Sequence, residues 1–163
     1  PAAAGSGSPE ERRAAMAAGV EARVAALVEA VGREQAVLLG REALFAAGVR
    51  LGQEARVLLG VRATAGDLER AARVLYRVLG IEFQVAWEGE GRAVLRVARC
   101  ALARHYSETA CLLLCAADEG VVQGLCPGAS MEFAERMTAG APECIAQIAL
   151  RPDSPEMNAD ERA

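Results

Sequence analysis

The hydrophobic period of this chain first changes at Gly80, and that change limits the folds open to it. Before Gly80 apolar residues recur at helical intervals. After it Ile81, Phe83, Val85 and Trp87 alternate with Glu82, Gln84 and Ala86, the period of a strand with one buried face. A turn at Glu88-Gly89-Glu90-Gly91 follows, then a second alternating run at Ala93-Val94-Leu95-Arg96-Val97. Two such runs around a glycine-containing turn predict a β-hairpin.

The helical part divides into three. Ser8-Pro9-Glu10-Glu11 is a capping box with proline at the first helical position. The helix that follows sets Met16, Val20, Val24, Leu27, Val28 and Val31 on one stripe, and Gly32 stops it. A second helix is expected from Arg33 to Leu59, interrupted by Gly40, Gly48 and Gly52. Each glycine costs up to about 1 kcal/mol against alanine in a helix, so the three mark close helix packing or a bend. A third helix is expected from an Asp67 N-cap to Leu79, ended by Gly80. Beyond the hairpin, Ser107 can cap a fourth helix from Glu108 to about Gln123, closed by Gly124 and Cys126-Pro127-Gly128. A second strand pair, Ser130 to Met137 and Cys144 to Leu150, is joined by Ala139-Gly140-Ala141-Pro142.

These elements predict an α+β domain in the order ααα-ββ-α-ββ, with N-terminal helices packed on a four-stranded antiparallel sheet. One domain over 8–151 is expected, between a flexible arm at 1–7 and a flexible tail at 152–163. The 163 residues suffice for one core, and the 53% apolar content excludes a disordered chain. With only 4% aromatics, the core must be built from leucine, valine and alanine. A net charge of −4 gives no electrostatic footprint for nucleic acid. No apolar run reaches the length of a membrane span. Pro1–Gly7 has neither the basic nor the apolar region of a signal peptide, so a cytoplasmic protein with reduced cysteines is expected.

All five cysteines and the single histidine fall between residues 100 and 144. Cys100 ends the second strand, His105 lies in the connection after it, and Cys111 and Cys115 share one face of the fourth helix with Asp118. Cys126 follows that helix and Cys144 opens the last strand. Two chemistries fit. Cys115 could act as a nucleophilic thiolate, with His105 as base and Asp118 as orienting group. Alternatively, Cys100, His105, Cys111, Cys115 and Cys126 could supply zinc or another soft metal, although the chain lacks a Cys-x-x-Cys. Against both stands the tendency of cysteine to act as a small buried hydrophobe, beside Leu112, Leu113 and Leu114. His105 could equally be a solvated loop residue, Asp118 a solvated helix-end group, and Trp87 a packing residue or a ligand contact.

The string from Arg99-Cys100 through Cys111-Leu112-Leu113-Leu114-Cys115-Ala116-Ala117-Asp118 to Gly140-Ala141-Pro142-Glu143-Cys144-Ile145-Ala146-Gln147-Ile148 resembles the 2-amino-thiazoline-4-carboxylate hydrolase-like family. It is also similar to the related four-vinyl reductase-type domains. Over residues 35 to 150 the resemblance implies an antiparallel sheet flanked by helices around an apolar cavity, in a protein that is often a dimer. It implies that Cys115 and Asp118 match a Cys-x-x-Asp element, Cys100 the strand-end cysteine and Cys144 the closing cysteine. His105 matches no position of that pattern. Ala101 stands where proline is usual, and Ile145-Ala146-Gln147-Ile148 replaces an aromatic-rich strand. The hydrolase branch implies opening of a small ring containing sulfur and nitrogen, at a C–N or C–S bond. Cys111, Cys144 and Trp87 are expected as ligand contacts. The reductase-type branch implies a non-catalytic domain that binds or senses a metal or small ligand. A third possibility is an interaction subunit whose cavity is filled by its own side chains.

Overall fold

The computed structural model describes residues 7–62, 64–89 and 91–150. The arm expected at 1–7 lies outside these residues except for Gly7, as does the tail expected at 152–163.

Helix α1 spans Pro9–Val31 and opens with the expected reciprocal cap, the Ser8 side chain accepting from the Glu11 amide and the Glu11 carboxylate from the Ser8 amide. Gly32, at a φ of 80°, ends α1 and also starts helix α2, Arg33–Leu59. A left-handed Gly60 closes α2. Helix α3 spans Ala65–Leu79, and its N-cap is Thr64, whose hydroxyl accepts from the Asp67 amide at 3.2 Å. The N-cap expected at Asp67 is thus displaced by one turn. The Asp67 carboxylate turns back instead and accepts from the Arg62 amide at 2.9 Å and from Arg70. It is 3% exposed and holds the α2–α3 connection against α3.

A left-handed Gly80 leads from α3 into β1, Ile81–Trp87, which pairs with β2, Arg92–Cys100. Gly89 and Gly91 take positive φ in the turn, a conformation open to glycine at little cost. After a short 3₁₀ turn at Ala103–His105, helix α4 runs over Glu108–Leu125. It passes through Gly124, which the sequence reading placed at its end. Strand β3 covers Ser130–Glu135 and stops short of the expected Met137, because Met137–Ala139 form a second 3₁₀ turn. Strand β4, Cys144–Ala149, completes an antiparallel sheet of order β1-β2-β4-β3. The α+β architecture and its element order agree with the sequence. The register of Val97 with Cys144 and of Ala93 with Ile148 joins the two strand pairs through β2 and β4.

One face of this sheet is buried. Phe83, Leu95, Val97, Met131, Phe133 and Ile148 form a core with residues of α3 and α4, while Glu82, Gln84, Arg96, Glu132 and Gln147 face outward. Helix α4 is therefore the middle layer, with the sheet on one side and α2 on the other. The α2–α4 seam is made of small residues. A β-carbon on Gly48 would stand 2.9 Å from the Ala117 carbonyl carbon, and one on Gly120 would stand 2.9 Å from the Val49 nitrogen. The glycines of α2 thus mark close packing, as expected, and Gly120 and Gly124 complete the seam from the other side. Arg41 fastens it by donating to Glu119 at 2.7 Å and to the Leu112 carbonyl at 2.8 Å. Elsewhere α2 leaves apolar side chains in solvent, including Val57 (81% exposed) and Leu58 (83%). No helix among the described residues is long and apolar enough to cross a membrane.

Candidate functional site

The sheet-facing side of α4 carries Cys111, Cys115 and Asp118, fixed in rotation by the glycine seam on the opposite side. Cys115 is 5% exposed, Cys111 is half-buried, and both are free thiols. The two sulfurs interact, with the Cys115 thiol acting as donor toward Cys111. That contact, the Thr138 hydroxyl and the Arg136 guanidinium favour the Cys111 thiolate over the opposing effect of burial. The same contact, with burial, pushes the Cys115 thiol far above its ordinary value. Their contact thus favours ionisation of Cys111 and opposes that of Cys115.

Asp118 lies one turn further along. Burial pushes its carboxyl up to about 7, opposed by hydrogen bonding from the Tyr76 hydroxyl and assisted by the charge of Cys111. Tyr76 itself is held protonated by burial and by the neighbouring Asp118. Tyr76 and Asp118 both open onto a cavity of about 30 Å³ between α3, α4 and the sheet, lined also by Leu75, Trp87, Leu95 and Met131. This space holds about one water molecule. The Trp87 indole faces it while its N–H points to Glu69 at 3.4 Å.

The remaining expected site residues divide between two places. Cys144 is buried beside this group, its sulfur accepting the Met137 amide at 3.3 Å, and its burial raises the thiol pKa. Cys100, also raised by burial, feels Cys144 and Cys111 through its charge. Its other side opens on a separate surface hollow of about 250 Å³, shared with His105, Arg99, Arg104, Arg13 and Glu10. His105 accepts from Arg104 there at 3.1 Å, and it does not line the cavity of Asp118 and Tyr76. Cys126 is buried past the end of α4, where its charged neighbour is Arg56. The five groups expected as a metal set are thus not gathered. Among the described residues, no three histidine, cysteine or acidic side chains converge as metal ligands.

Three members of the site were not singled out by sequence. Tyr76 sits on the apolar stripe of α3, where a hydroxyl needs a buried partner, and that was its one visible signal. Arg136 and Thr138 flank Met137 in the β3–β4 connection. Arg136 Nη2 donates to the Phe133 carbonyl at 3.2 Å, while its Nε and the Thr138 hydroxyl are buried without a conventional hydrogen-bond partner. Such atoms are rare, and each costs roughly 1–3 kcal/mol.

Comparison with solved structures returns the same architecture. A trafficking protein particle complex subunit 3 from Naegleria fowleri, covalently bound to palmitic acid, aligns with a TM-score of 0.65 at 13% identity, covering 86% of this chain and 95% of that one. The phenol-responsive sensory domain of the transcription activator PoxR, solved with phenol, aligns with a TM-score of 0.61 at 18% identity, covering 82% and 74%. At these identities the likeness is one of fold. No curated protein matches the chain in sequence. The profile of the L-2-amino-thiazoline-4-carboxylic acid hydrolases, however, matches residues 11–147, from the first turns of α1 into β4. The chain belongs to the L-2-amino-thiazoline-4-carboxylic acid hydrolase family.

Proposed function

We propose that the protein opens a small thiazoline-type ring by hydrolysis, with Cys111 as the nucleophile and Asp118 as the proton carrier. The observation that carries this reading is the pairing, on one face of α4, of a thiol that favours its anion with a carboxyl that keeps its proton near neutrality. Nucleophilic ring opening needs both groups at once.

In this mechanism the Cys111 thiolate adds to the ring carbon between sulfur and nitrogen. The ring C–N bond then breaks as the nitrogen, which already carries the proton of the ring's amidinium form, takes a second one from Asp118. Ionised Asp118 next removes a proton from water, whose oxygen adds to the same carbon. Cys111 leaves as thiolate while the remaining hydroxyl proton passes to the freed amine, so the carbon ends as a carbonyl, Asp118 is reprotonated and the sum is one added water. A C–N bond is the better choice over C–S because departing nitrogen requires a proton, and Asp118 holds one. Cys115 keeps the Cys111 charge in place by donation, a role that replaces the nucleophilic one first expected for it. His105 lies on the outer hollow, apart from Asp118. Cys144, Cys100 and Trp87 shape the site.

The decisive experiment is turnover of 2-amino-thiazoline-4-carboxylate by Cys111→Ser, Cys115→Ser and the parent protein, with circular dichroism as the folding check. Loss of turnover in a native-like Cys111→Ser protein is expected. Full activity in that variant ends the covalent reading.

A second reading is favoured by the aromatic and aliphatic lining of the cavity and by the fold shared with a phenol-responsive domain. In it the protein binds a small ring, or a soft metal such as zinc at its thiols, without turnover. Tight binding of phenol or the thiazoline with no product, or stoichiometric metal by elemental analysis, would select it. A homodimer, with α2 of a second copy covering Val57 and Leu58, fits either reading and is tested by sedimentation of Leu58→Glu.

A further inference from the structure

We infer that Arg136 and Thr138 form the subsite that receives the substrate's carboxylate. The ring it serves is taken from the hydrolase reading above, but the anion preference rests on its own geometry.

Arg136 leaves β3 just where the strand turns into the Met137–Ala139 3₁₀ segment. One arm of its guanidinium is committed, since Nη2 donates to Phe133 O at 3.2 Å and the group lies 6.0 Å over the Phe133 ring. Nε is buried without a conventional hydrogen-bond partner, and so is the Thr138 hydroxyl two residues on, whose neighbour is the Cys111 sulfur. Both belong to the short stretch whose charge and hydroxyl act on Cys111. A buried guanidinium N–H and a buried hydroxyl two residues apart, neither with a conventional partner, are complementary to one carboxylate. Each oxygen then finds a donor, and the group's charge meets the Arg136 guanidinium.

This placement orders the substrate. With its carboxylate on Arg136 and Thr138, the ring must lie along α4, its electrophilic carbon toward Cys111 and its nitrogen toward Asp118. Orientation by a remote charge is a common source of rate. Cys144 supports the corner by accepting the Met137 amide at 3.3 Å, which fixes the backbone between the two donors.

The test is calorimetric binding of two ligands, 2-amino-thiazoline-4-carboxylate and the same ring without its carboxylate, to the parent protein, Arg136→Gln, Arg136→Lys and Thr138→Val. The parent protein is expected to favour the carboxylated ring by roughly ten- to a hundred-fold, the range for hydrogen bonds to charged groups. That preference should collapse in Arg136→Gln, recover in part in Arg136→Lys and weaken several-fold in Thr138→Val. An equal preference in Arg136→Gln and the parent, or none in the parent, overturns the subsite. Thr138→Val, nearly isosteric, carries the test if Arg136→Gln does not fold. Turnover measured alongside separates the two ideas, because a protein that prefers the carboxylate yet forms no product refutes the hydrolase reading and leaves the subsite standing.

Discussion

Gly52 and Gly124 face each other across the α2–α4 seam so closely that a β-carbon on either would stand 2.9 Å from the other's Cα. Real β-carbons do not approach that near, and both neighbours are backbone that cannot swing aside. Gly52→Ala and Gly124→Ala are therefore expected to destabilise the protein by about 1–3 kcal/mol through overpacking, read as a lower urea midpoint. Gly19 is the control. A β-carbon there meets nothing within 4 Å, so Gly19→Ala in the middle of α1 should stabilise by roughly 0.5–1 kcal/mol.

The two thiols of α4 should differ sharply in reactivity. At pH 7 iodoacetamide is expected to label Cys111 ahead of Cys100, Cys126 and Cys144, whose pKa values burial raises. Cys115→Ala removes the donor that holds the Cys111 charge, so the pH midpoint of Cys111 alkylation should move upward. Mass spectrometry of labelled peptides reads both effects. Equal labelling of all five sulfurs would contradict the favoured ionisation of Cys111.

Under the proposed mechanism, Asp118 links activity to pH. Turnover should rise as Cys111 ionises, below the ordinary thiol value of 9, and fall as Asp118 loses its proton near 7. Tyr76→Phe removes the hydroxyl that restrains the Asp118 pKa, so the falling limb should move to higher pH in that variant.

The same group has the opposite effect on stability. From its ordinary 3.8 up to about 7, the unfolded chain has released this proton while the folded chain still holds it. Stability contributed by Asp118 is thus lost as pH rises through that window. Asp118→Asn should melt several degrees above the parent at pH 8, with the difference vanishing toward pH 4, while turnover is abolished. A melting point equally raised at both pH values would remove titration as the cause.

Asp67 behaves in the reverse sense. Its carboxylate accepts from the Arg62 amide and from Arg70, and these hold its pKa below the ordinary value. Stability from this group is present above pH 3.8 and lost as pH falls through its lower folded pKa. Asp67→Asn should destabilise at pH 7 by about 1–3 kcal/mol, the cost of weakening hydrogen bonds to a buried charged group, and by less in acid, as urea titrations at the two pH values would show.

Periodicity and caps made most of the fold legible. Ser8 and Glu11, the turn at Gly89 and Gly91, and the alternation from Ile81 to Trp87 are local signals, and each element they mark is present. The misplacements have local causes too. Thr64 and Asp67 are both good caps one turn apart, and the sequence alone does not rank them. Gly124 reads as a helix stop until Gly52 is seen to need its missing side chain. The site was legible only on α4, where Cys111, Cys115 and Asp118 share a face by helical spacing. Arg136 and Thr138 join them through the β3–β4 connection, with β4 inserted between β2 and β3, and Tyr76 joins from α3; such meetings of distant segments leave no mark in local pattern.

The hollow bordered by Tyr76 and Asp118 has room for about one water molecule, whereas a thiazoline ring with its substituents is several times larger. If the proposed substrate binds there, the hollow must first widen, and α3, flanked by the left-handed Gly60 and Gly80, forms one of its walls. If that widening paces the proposed cycle, turnover should slow in proportion to the viscosity of added sucrose, and the bond-breaking step would then be faster than the steady-state rate.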